Sequence, residues 1–342
     1  MPNFNGPESN GSNPTKPNPI SNDNQFENVI IDLNAVILSL NMDREDSLTV
    51  LTISQNKNLL PWGPYHPNVH KTMEQGLRHW VKSQTDIDLN YVEQLYTYGD
   101  SGRFGYGDPN RHIITTGYLA FIEPYLREKQ AYQQWSGIYQ HFPWEDFRQG
   151  RPAILDDFIL PKLFEWSDGV EVDKRINRCF GQKDDIWQEE NILHRFEIMY
   201  EAKLVFEAVR DDDANMASDI NVSPEEQNLP TGRYMQYDHR RILATALGRM
   251  RSKIKCRPVI FDLMPSSFTL FELQKSTEAI LGYHLHKQNF RRFVERENLV
   301  AKIGKIRPQP SGRPAQLYEY NKQLINSPQL QGLKIGNSSS AY

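Results

Sequence analysis

Residues Phe268 to Tyr320 read FTLFELQKSTEAILGYHLHKQNFRRFVERENLVAKIGKIRPQPSGRPAQLYEY, and this stretch decides the fold of the C-terminal part of the chain. Thr269 and Glu272 stand in the S/T-x-x-E relation of a capping box, which predicts a helix start. Leu270, Leu273, Ile280 and Leu281 then recur near the helical period, and Gly282 is a natural stop. A second helix is predicted from about His286 to Glu297, with Phe290, Phe293 and Val294 on one face. Two short helices joined at a glycine read as a helix-turn-helix. Beyond Leu299 the chain is apolar, then rich in Pro and Gly, then alternating through Ala315, Leu317 and Tyr320. That is the pattern of a β-hairpin wing.

Charge gives this stretch a candidate partner. Lys287, Arg291, Arg292, Arg296, Lys302, Lys305, Arg307 and Arg313 are opposed only by Glu295 and Glu297, so the window carries +6 in a chain of net charge −4. A local positive field of this kind serves phosphate neutralisation whatever the global sign. Lys287, Gln288, Arg291 and Arg292 fall on the side of the second helix away from its aromatic face, where Arg and Gln reach guanine and adenine edges in a major groove; Asn289 is a further candidate contact. A solvated helix face beside a basic loop gives the same charge count without binding anything.

Working outward, 342 residues suit two domains, each with its own core. The two cysteines, Cys179 and Cys256, sit in no metal-ligand spacing and form no disulfide framework, which suits a reducing cytoplasm. No apolar run of about 18 residues is present, so no membrane span is expected. The first 25 residues are largely Asn, Pro, Ser and Gly without an apolar core, and are expected to be a disordered tail. A similar tail is expected over 323–342.

Val29–Ile31, Ala35–Leu40 and Leu48–Ile53 read as strands of a mixed sheet, and Leu59–Pro64 as a loop. A helix is expected from His70 to Gln84, where Met73, Leu77, Trp80 and Val81 share a face. Strands follow at Val92–Tyr98 and His112–Phe121, and a long helix at Ile192–Val209. On that helix Phe196, Met199, Leu204 and Phe206 read as core or dimer packing. Asp211 to Glu226 reads as a mobile polar loop.

The order of strands, Leu-Pro-x-Gly loop, helix and further strands resembles the Nudix fold. A Nudix hydrolase carries G-x5-E-x7-R-E-U-x-E-E-x-G-U, whose glutamates hold a divalent metal against a diphosphate; hard cations need several carboxylate oxygens. Counting from Gly63, the first glutamate position holds Val69, and Leu77 to Thr85 (LRHWVKSQT) has no carboxylate at all. Glu74 stands alone. Hydrolysis by that mechanism is therefore not expected, and neither a catalytic residue nor a metal ligand is assigned.

Three further groups of residues narrow the resemblance. They are Tyr91-Val92-Glu93-Gln94-Leu95-Tyr96-Thr97-Tyr98-Gly99-Asp100 with Arg103; Tyr237-Asp238-His239-Arg240-Arg241-Ile242-Leu243 with Ala246-Leu247-Gly248-Arg249-Met250-Arg251; and Phe268-Thr269-Leu270, Asn289-Phe290-Arg291-Arg292 and Gly312-Arg313-Pro314-Ala315-Gln316-Leu317-Tyr318. Together they resemble the NrtR-type, Nudix-related transcriptional regulators of NAD metabolism. The length and the extra residues 130–230 are most similar to the NadQ-like subgroup of alphaproteobacteria.

The resemblance implies an α/β (α+β) protein: a Nudix-like α/β/α sandwich over 26–235 with a helical insertion at about 130–230, a linking helix over 236–256, and a winged helix over 257–322. It implies a cytoplasmic, homodimeric repressor of NAD-biosynthesis genes that binds double-stranded DNA at a palindromic operator. Its nucleotide effector would be ADP-ribose, ATP or another NAD-related nucleotide, with no cofactor required. For the effector, Arg103 and Arg111 suit a diphosphate, Trp62, Tyr96 and Tyr98 suit an adenine ring, and His66 and Arg78 stand where a hydrolase holds metal and phosphate. For DNA, the expected contacts are the basic and amide residues of the +6 window, Arg296, Lys302, Lys305, Arg307 and Arg313 among them. The basic helix from Asp238 to Lys255, with Arg240, Arg241, Arg249, Arg251 and Lys253, is the expected lever between the halves. Two other readings stay open: an active nucleotide pyrophosphohydrolase with an appended DNA-binding domain, and a scaffold whose wing binds protein or RNA.

Overall fold

The computed structural model describes residues 28–41, 48–53, 58–100, 111–124, 134–212, 230–256, 259–308 and 314–321. The expected tails, Arg103, Arg313 and most of Asp211–Glu226 lie outside them, as does the side chain of Arg111.

Alternation along one long strand sets the architecture of the first half. Strand β1 (Asn28–Leu40) sends Leu33, Ala35 and Ile37 to one face and Val36, Leu38 and Leu40 to the other, and all six are buried. It is flanked by β2 (Leu48–Thr52), β3 (Trp62–Pro64), β4 (Val92–Tyr98), β5 (Arg111–Ile122) and β6 (Gln134–Gly137). The strand order is β4-β5-β1-β2-β6, with β3 also on β1. β1 and β5 run parallel and the other pairs antiparallel, so the sheet is mixed. The two short strands expected at Val29–Ile31 and Ala35–Leu40 are one strand. The intervening Asp32 and Asn34, polar but 2% and 0% exposed, continue it through the interior. The expected loop at Leu59–Pro64 contains β3.

Helix α1 (Met73–Thr85) covers the first face with Leu77 and Val81. It starts three residues later than expected because Thr72 is extended and its hydroxyl accepts from Gln75 N (3.1 Å), which fixes the cap. The second face is covered by helices of the insertion: α2 (Ile138–His141), α3 (Leu160–Trp166), α4 (Val170–Phe180), α5 (Ile192–Glu201) and α6 (Phe206–Asp212). The expected Ile192–Val209 helix is therefore two. Its chain turns at Lys203, whose φ is +55°, and Leu204 N donates to Met199 O (2.8 Å). Phe196, Met199 and Phe206 are core residues.

Helix α7 (His239–Cys256) lies directly on the sheet. Ile242, Leu243, Ala246, Leu247, Met250 and Ile254 are fully buried along it. The approach is close: a Cβ at Gly117 would lie 2.8 Å from Ile242 Cγ2, so a side chain there would push the helix off. The expected basic lever needs correcting on this point. Arg240 and Arg251 are 0% exposed and belong to the core, while Arg249 stays exposed.

The C-terminal unit consists of α8 (Leu270–Leu281), α9 (Lys287–Arg296) and the antiparallel hairpin β7 (Val300–Arg307) and β8 (Ala315–Tyr320). Thr269 and Glu272 form the capping box, with Glu272 N donating to Thr269 Oγ1 (3.1 Å) and Thr269 N to Glu272 Oε2 (2.7 Å). Gly282 ends α8 at φ +86°, a conformation that costs a glycine little. A bridge between Phe268 and Tyr318 joins the entry to α8 to the wing. The result is an α/β sandwich followed by a winged helix-turn-helix.

Candidate nucleic-acid interface and effector pocket

Helix α9 divides cleanly between core and solvent. Phe290 and Val294 are buried and Phe293 is half-buried, whereas Lys287, Gln288, Asn289, Arg291, Arg292 and Arg296 are exposed. The turn before it is fastened by one buried carboxylate that sequence reasoning missed. Glu278, 2% exposed, accepts from Leu285 N (3.0 Å), Gln274 Nε2 (2.8 Å) and His284 Nδ1 (2.9 Å). Burial alone would raise its carboxyl; the Leu285 amide and the side-chain donors outweigh that and hold it below the usual range. In the wing Lys302, Lys305 and Arg307 are exposed, and Arg307 also pairs with Glu272. The structure therefore brings the described members of the +6 window into one unit that presents them to solvent. An exposed, donor-rich helix face held rigidly beside a basic hairpin can enter a major groove while the wing meets phosphates.

This unit is docked on the insertion through a buried ionic node. Glu145 accepts from Arg195 Nε (2.6 Å) and Arg251 Nη1 (2.5 Å), and all three side chains are 0% exposed. Arg195 also donates to the carbonyls of Cys179 (2.9 Å), Gln188 (3.0 Å) and Glu189 (3.3 Å), and its guanidinium stacks 3.8 Å over Trp187. Arg251 Nε donates to Ile280 O (3.0 Å), Tyr139 OH to Ala279 O (2.8 Å), and Phe147 N to Gly282 O (2.6 Å). Two cations against one carboxylate leave an excess positive charge, and it sits at the carbonyl-rich C-terminus of α8, where a cation is favoured. Burial would push the Glu145 carboxyl up, but Arg195 and Arg251 hold it below the usual range.

In the front half, the described side chains expected to meet an effector do not converge. Tyr98 is 1% exposed, its hydroxyl donates to Thr245 Oγ1 (2.6 Å), and burial raises its pKa. That ring is core packing and is withdrawn as an adenine platform. Tyr96 is 61% exposed on β4, separated from Trp62 on β3 by β5 and β1, a span of roughly 14 Å at strand spacing. Arg78 is committed to Glu74 (2.7 Å) and to the carbonyls of Leu89 and Asn90, where it fastens α1 to the following loop. His66 is exposed beside buried His70 and donates its backbone N–H to His70 Nδ1 (3.3 Å). Burial, then the neighbouring His79 and His66, keep the His70 imidazole below its ordinary pKa. Among the described residues no group of three His, Cys, Asp or Glu side chains is placed to hold a metal ion.

Trp62 has different neighbours. Its ring meets Tyr237 edge-on (5.7 Å), and Tyr237 in turn meets His239 (5.4 Å). His239 Nδ1 accepts from Leu60 N (3.0 Å), which fixes the tautomer with its proton on Nε2. Burial, and then the charge of Arg210, push its pKa down to about 3, so the imidazole is neutral near pH 7. Tyr237 and His239 belong to a motif legible in the sequence. Arg210 carried no signal there.

The fold defines a class: a Nudix-like α/β domain carrying a C-terminal winged helix-turn-helix with a basic exposed face. Residues 260–320 match the family described as the NrtR DNA-binding winged helix domain. The chain is also similar to the ADPR responsive transcriptional repressor NtrR of Acinetobacter baylyi, 36% identical over 89 residues. That match covers 26% of this chain and 35% of the relative, about a third of its length. Among solved structures, NrtR of Shewanella oneidensis complexed with a 27mer DNA superposes with TM-score 0.50 at 19% identity, covering 89% of this chain and 97% of that one. This likeness extends across both halves of the fold. No described helix is long and apolar enough to cross a membrane.

Proposed function

We propose that this protein is a DNA-binding transcriptional repressor of NAD-biosynthesis genes, gated by an adenine nucleotide or NAD-related ligand in its Nudix-like domain. The observation that carries the reading is the exposed face of α9, where Lys287, Gln288, Asn289, Arg291 and Arg292 project from a helix anchored by Phe290 and Val294. The name of the Acinetobacter relative, an ADPR responsive repressor, supports ADP-ribose as the first ligand to test. A homodimer would present two such helices to the half-sites of a palindrome, in the cytoplasm where DNA is met. The ligand acts through a difference in affinity between two dimer geometries. Hydrolysis is not part of the proposal: the one carboxylate on α1, Glu74, is paired with Arg78 at 2.7 Å.

Fluorescence anisotropy on promoter DNA of NAD-biosynthesis genes tests the DNA half. Arg291→Ala and Arg292→Ala are expected to weaken operator binding by about 1–3 kcal/mol if they read bases, and to narrow the preference over a random duplex. A dimer making roughly 6–10 phosphate contacts should lose about three to five decades of affinity between 50 and 200 mM salt. Equal affinity for operator and random DNA, with shallow salt dependence, would remove the reading.

A further inference from the structure

The α7 side of the sheet holds a cluster of buried polar atoms that the fold leaves incomplete. Arg210 enters it from α6 and is 1% exposed. Its Nε donates to Asp211 Oδ1 (2.7 Å), and its Nη2 lies at the same distance from that oxygen but off the hydrogen-bonding direction. Neither Nη1 nor Nη2 has a hydrogen-bond partner among the described residues. His239, at the start of α7 and 1% exposed, is in the same position: Nδ1 is used by Leu60 N, and the protonated Nε2 meets no acceptor among the described residues. Contacts between α6 and the entry to α7 bring these groups together: Glu207 accepts from Met235 N (3.0 Å) and Arg240 Nη1 (3.1 Å), and the Phe206 ring meets Tyr234 (4.8 Å). Across from them on β1, Asn34 Nδ2 donates to Asp32 Oδ2 (3.3 Å) while Asn34 Oδ1 meets no donor.

Buried polar groups in folded proteins are almost always paired, and an unpaired guanidinium end is among the costliest exceptions. Here three N–H-bearing atoms from two residues on different elements have no hydrogen-bond acceptor among the described residues, although the Arg210 guanidinium as a whole is ion-paired with Asp211. Beside them stand two half-buried aromatic rings, Trp62 and Tyr237. Tyr237 holds φ at +55°, a left-handed conformation that a bulky side chain adopts only under constraint. Donors that lack anionic oxygens, next to aromatic faces and edges, are complementary to a phosphorylated ring compound.

We infer that Arg210 and His239 form the anion-binding half of the effector pocket, donating to the phosphoryl oxygens of a nucleotide whose base lies against Trp62 and Tyr237. The inference rests on the proposed ligand-gated reading and moves its site away from Tyr98, Arg78 and His66, to a place completed by the insertion. Arg210 supplies the charge. His239 supplies a neutral donor whose direction is fixed by the Leu60 amide.

Isothermal titration of the full chain with ATP, ADP-ribose, inorganic diphosphate and adenosine tests this. At least one of the two phosphorylated nucleotides should bind at least tenfold more tightly than adenosine. Arg210→Gln should weaken that binding roughly ten- to a hundredfold, the range expected for hydrogen bonds to a charged group. His239→Asn, which removes the Nε2 donor but retains an acceptor for Leu60 N, should weaken it about tenfold. Wild-type affinity in both variants, with urea-unfolding midpoints matching the parent, would overturn the site. If nucleotide still shifts the anisotropy of DNA bound to those variants, the gated reading survives that failure. If the parent chain binds no nucleotide, both fall.

Discussion

Two arginine-centred sites lie within the same core, and their surroundings are opposite. Around Glu145, two guanidiniums share one carboxylate, and their remaining N–H groups reach backbone carbonyls and a tyrosine hydroxyl. Around Arg210, Nε and the ion-paired Nη2 face one carboxylate, and the two terminal nitrogens have no hydrogen bond among the described residues. The first arrangement leaves little for a ligand to add, and it fastens α8 to the insertion. The second is unsatisfied as it stands, and a bound anion would supply what the fold does not. A closed site serves architecture, whereas an open one of the same composition serves recognition.

That contrast predicts unequal costs. Glu145→Ala strips the carboxylate from two buried guanidiniums, and denaturant unfolding should show a loss of about 3–5 kcal/mol. Arg251→Gln, which breaks the same node, should cost a similar amount. A loss under about 1 kcal/mol at either position would mean that the node is relaxed or solvated, and the comparison would break.

Acidification should have the next largest effect. His141 and His239 are buried and neutral with pKa values pushed down to about 3, against 6.5 in the unfolded chain. The unfolded state therefore takes up protons first, and the stability present above pH 6.5 is lost as pH falls toward 3. At pH 5 each imidazole should cost about 2 kcal/mol, read as a lower urea midpoint than at pH 7. His141 has its own partners, Nδ1 at 2.9 Å from Arg233 O and Nε2 at 3.0 Å from Ser136 Oγ. A ligand that fills the Arg210 site should not need His239 to titrate, so its affinity should be flat between pH 6 and 8 on that account.

Thr269→Ala removes a helix cap in the reading head and should cost about 1 kcal/mol in the same assay. Arg210→Gln without ligand should cost no more than that. It takes the cation from buried Asp211, which keeps the Tyr200 hydroxyl (2.8 Å) and can accept from the glutamine amide. It also removes two terminal nitrogens that lack a hydrogen bond among the described residues. The two effects oppose, and bare stability should change by about 1 kcal/mol or less. The same exchange at Arg251 should be several-fold more costly, and equal costs would erase the distinction between the two sites.

The reading head was legible because its signals are local. Thr269 with Glu272, Gly282, and the Phe290–Val294 stripe each act within a few residues, and the hairpin alternates visibly. Strand β4 was likewise readable from Val92 to Tyr98. What escaped was buried polarity. Asp32 and Asn34 interrupt an apolar pattern although they continue β1, and Arg240, Arg195 and Arg251 look like surface residues because charged side chains usually are. The break at Lys203 has neither Gly nor Pro to announce it. Arg210 acts on a residue 29 positions later in the chain, a relation that only the fold creates.

The most direct test of the central claim is the anisotropy of labelled NAD-biosynthesis promoter DNA bound to the full chain, titrated with ADP-ribose and with ATP. The account predicts tight binding over a random duplex and a shift of the binding curve by one of the two nucleotides. It would be contradicted if a nucleotide bound the protein and neither of the two changed the operator affinity, because ligand and DNA would then be uncoupled.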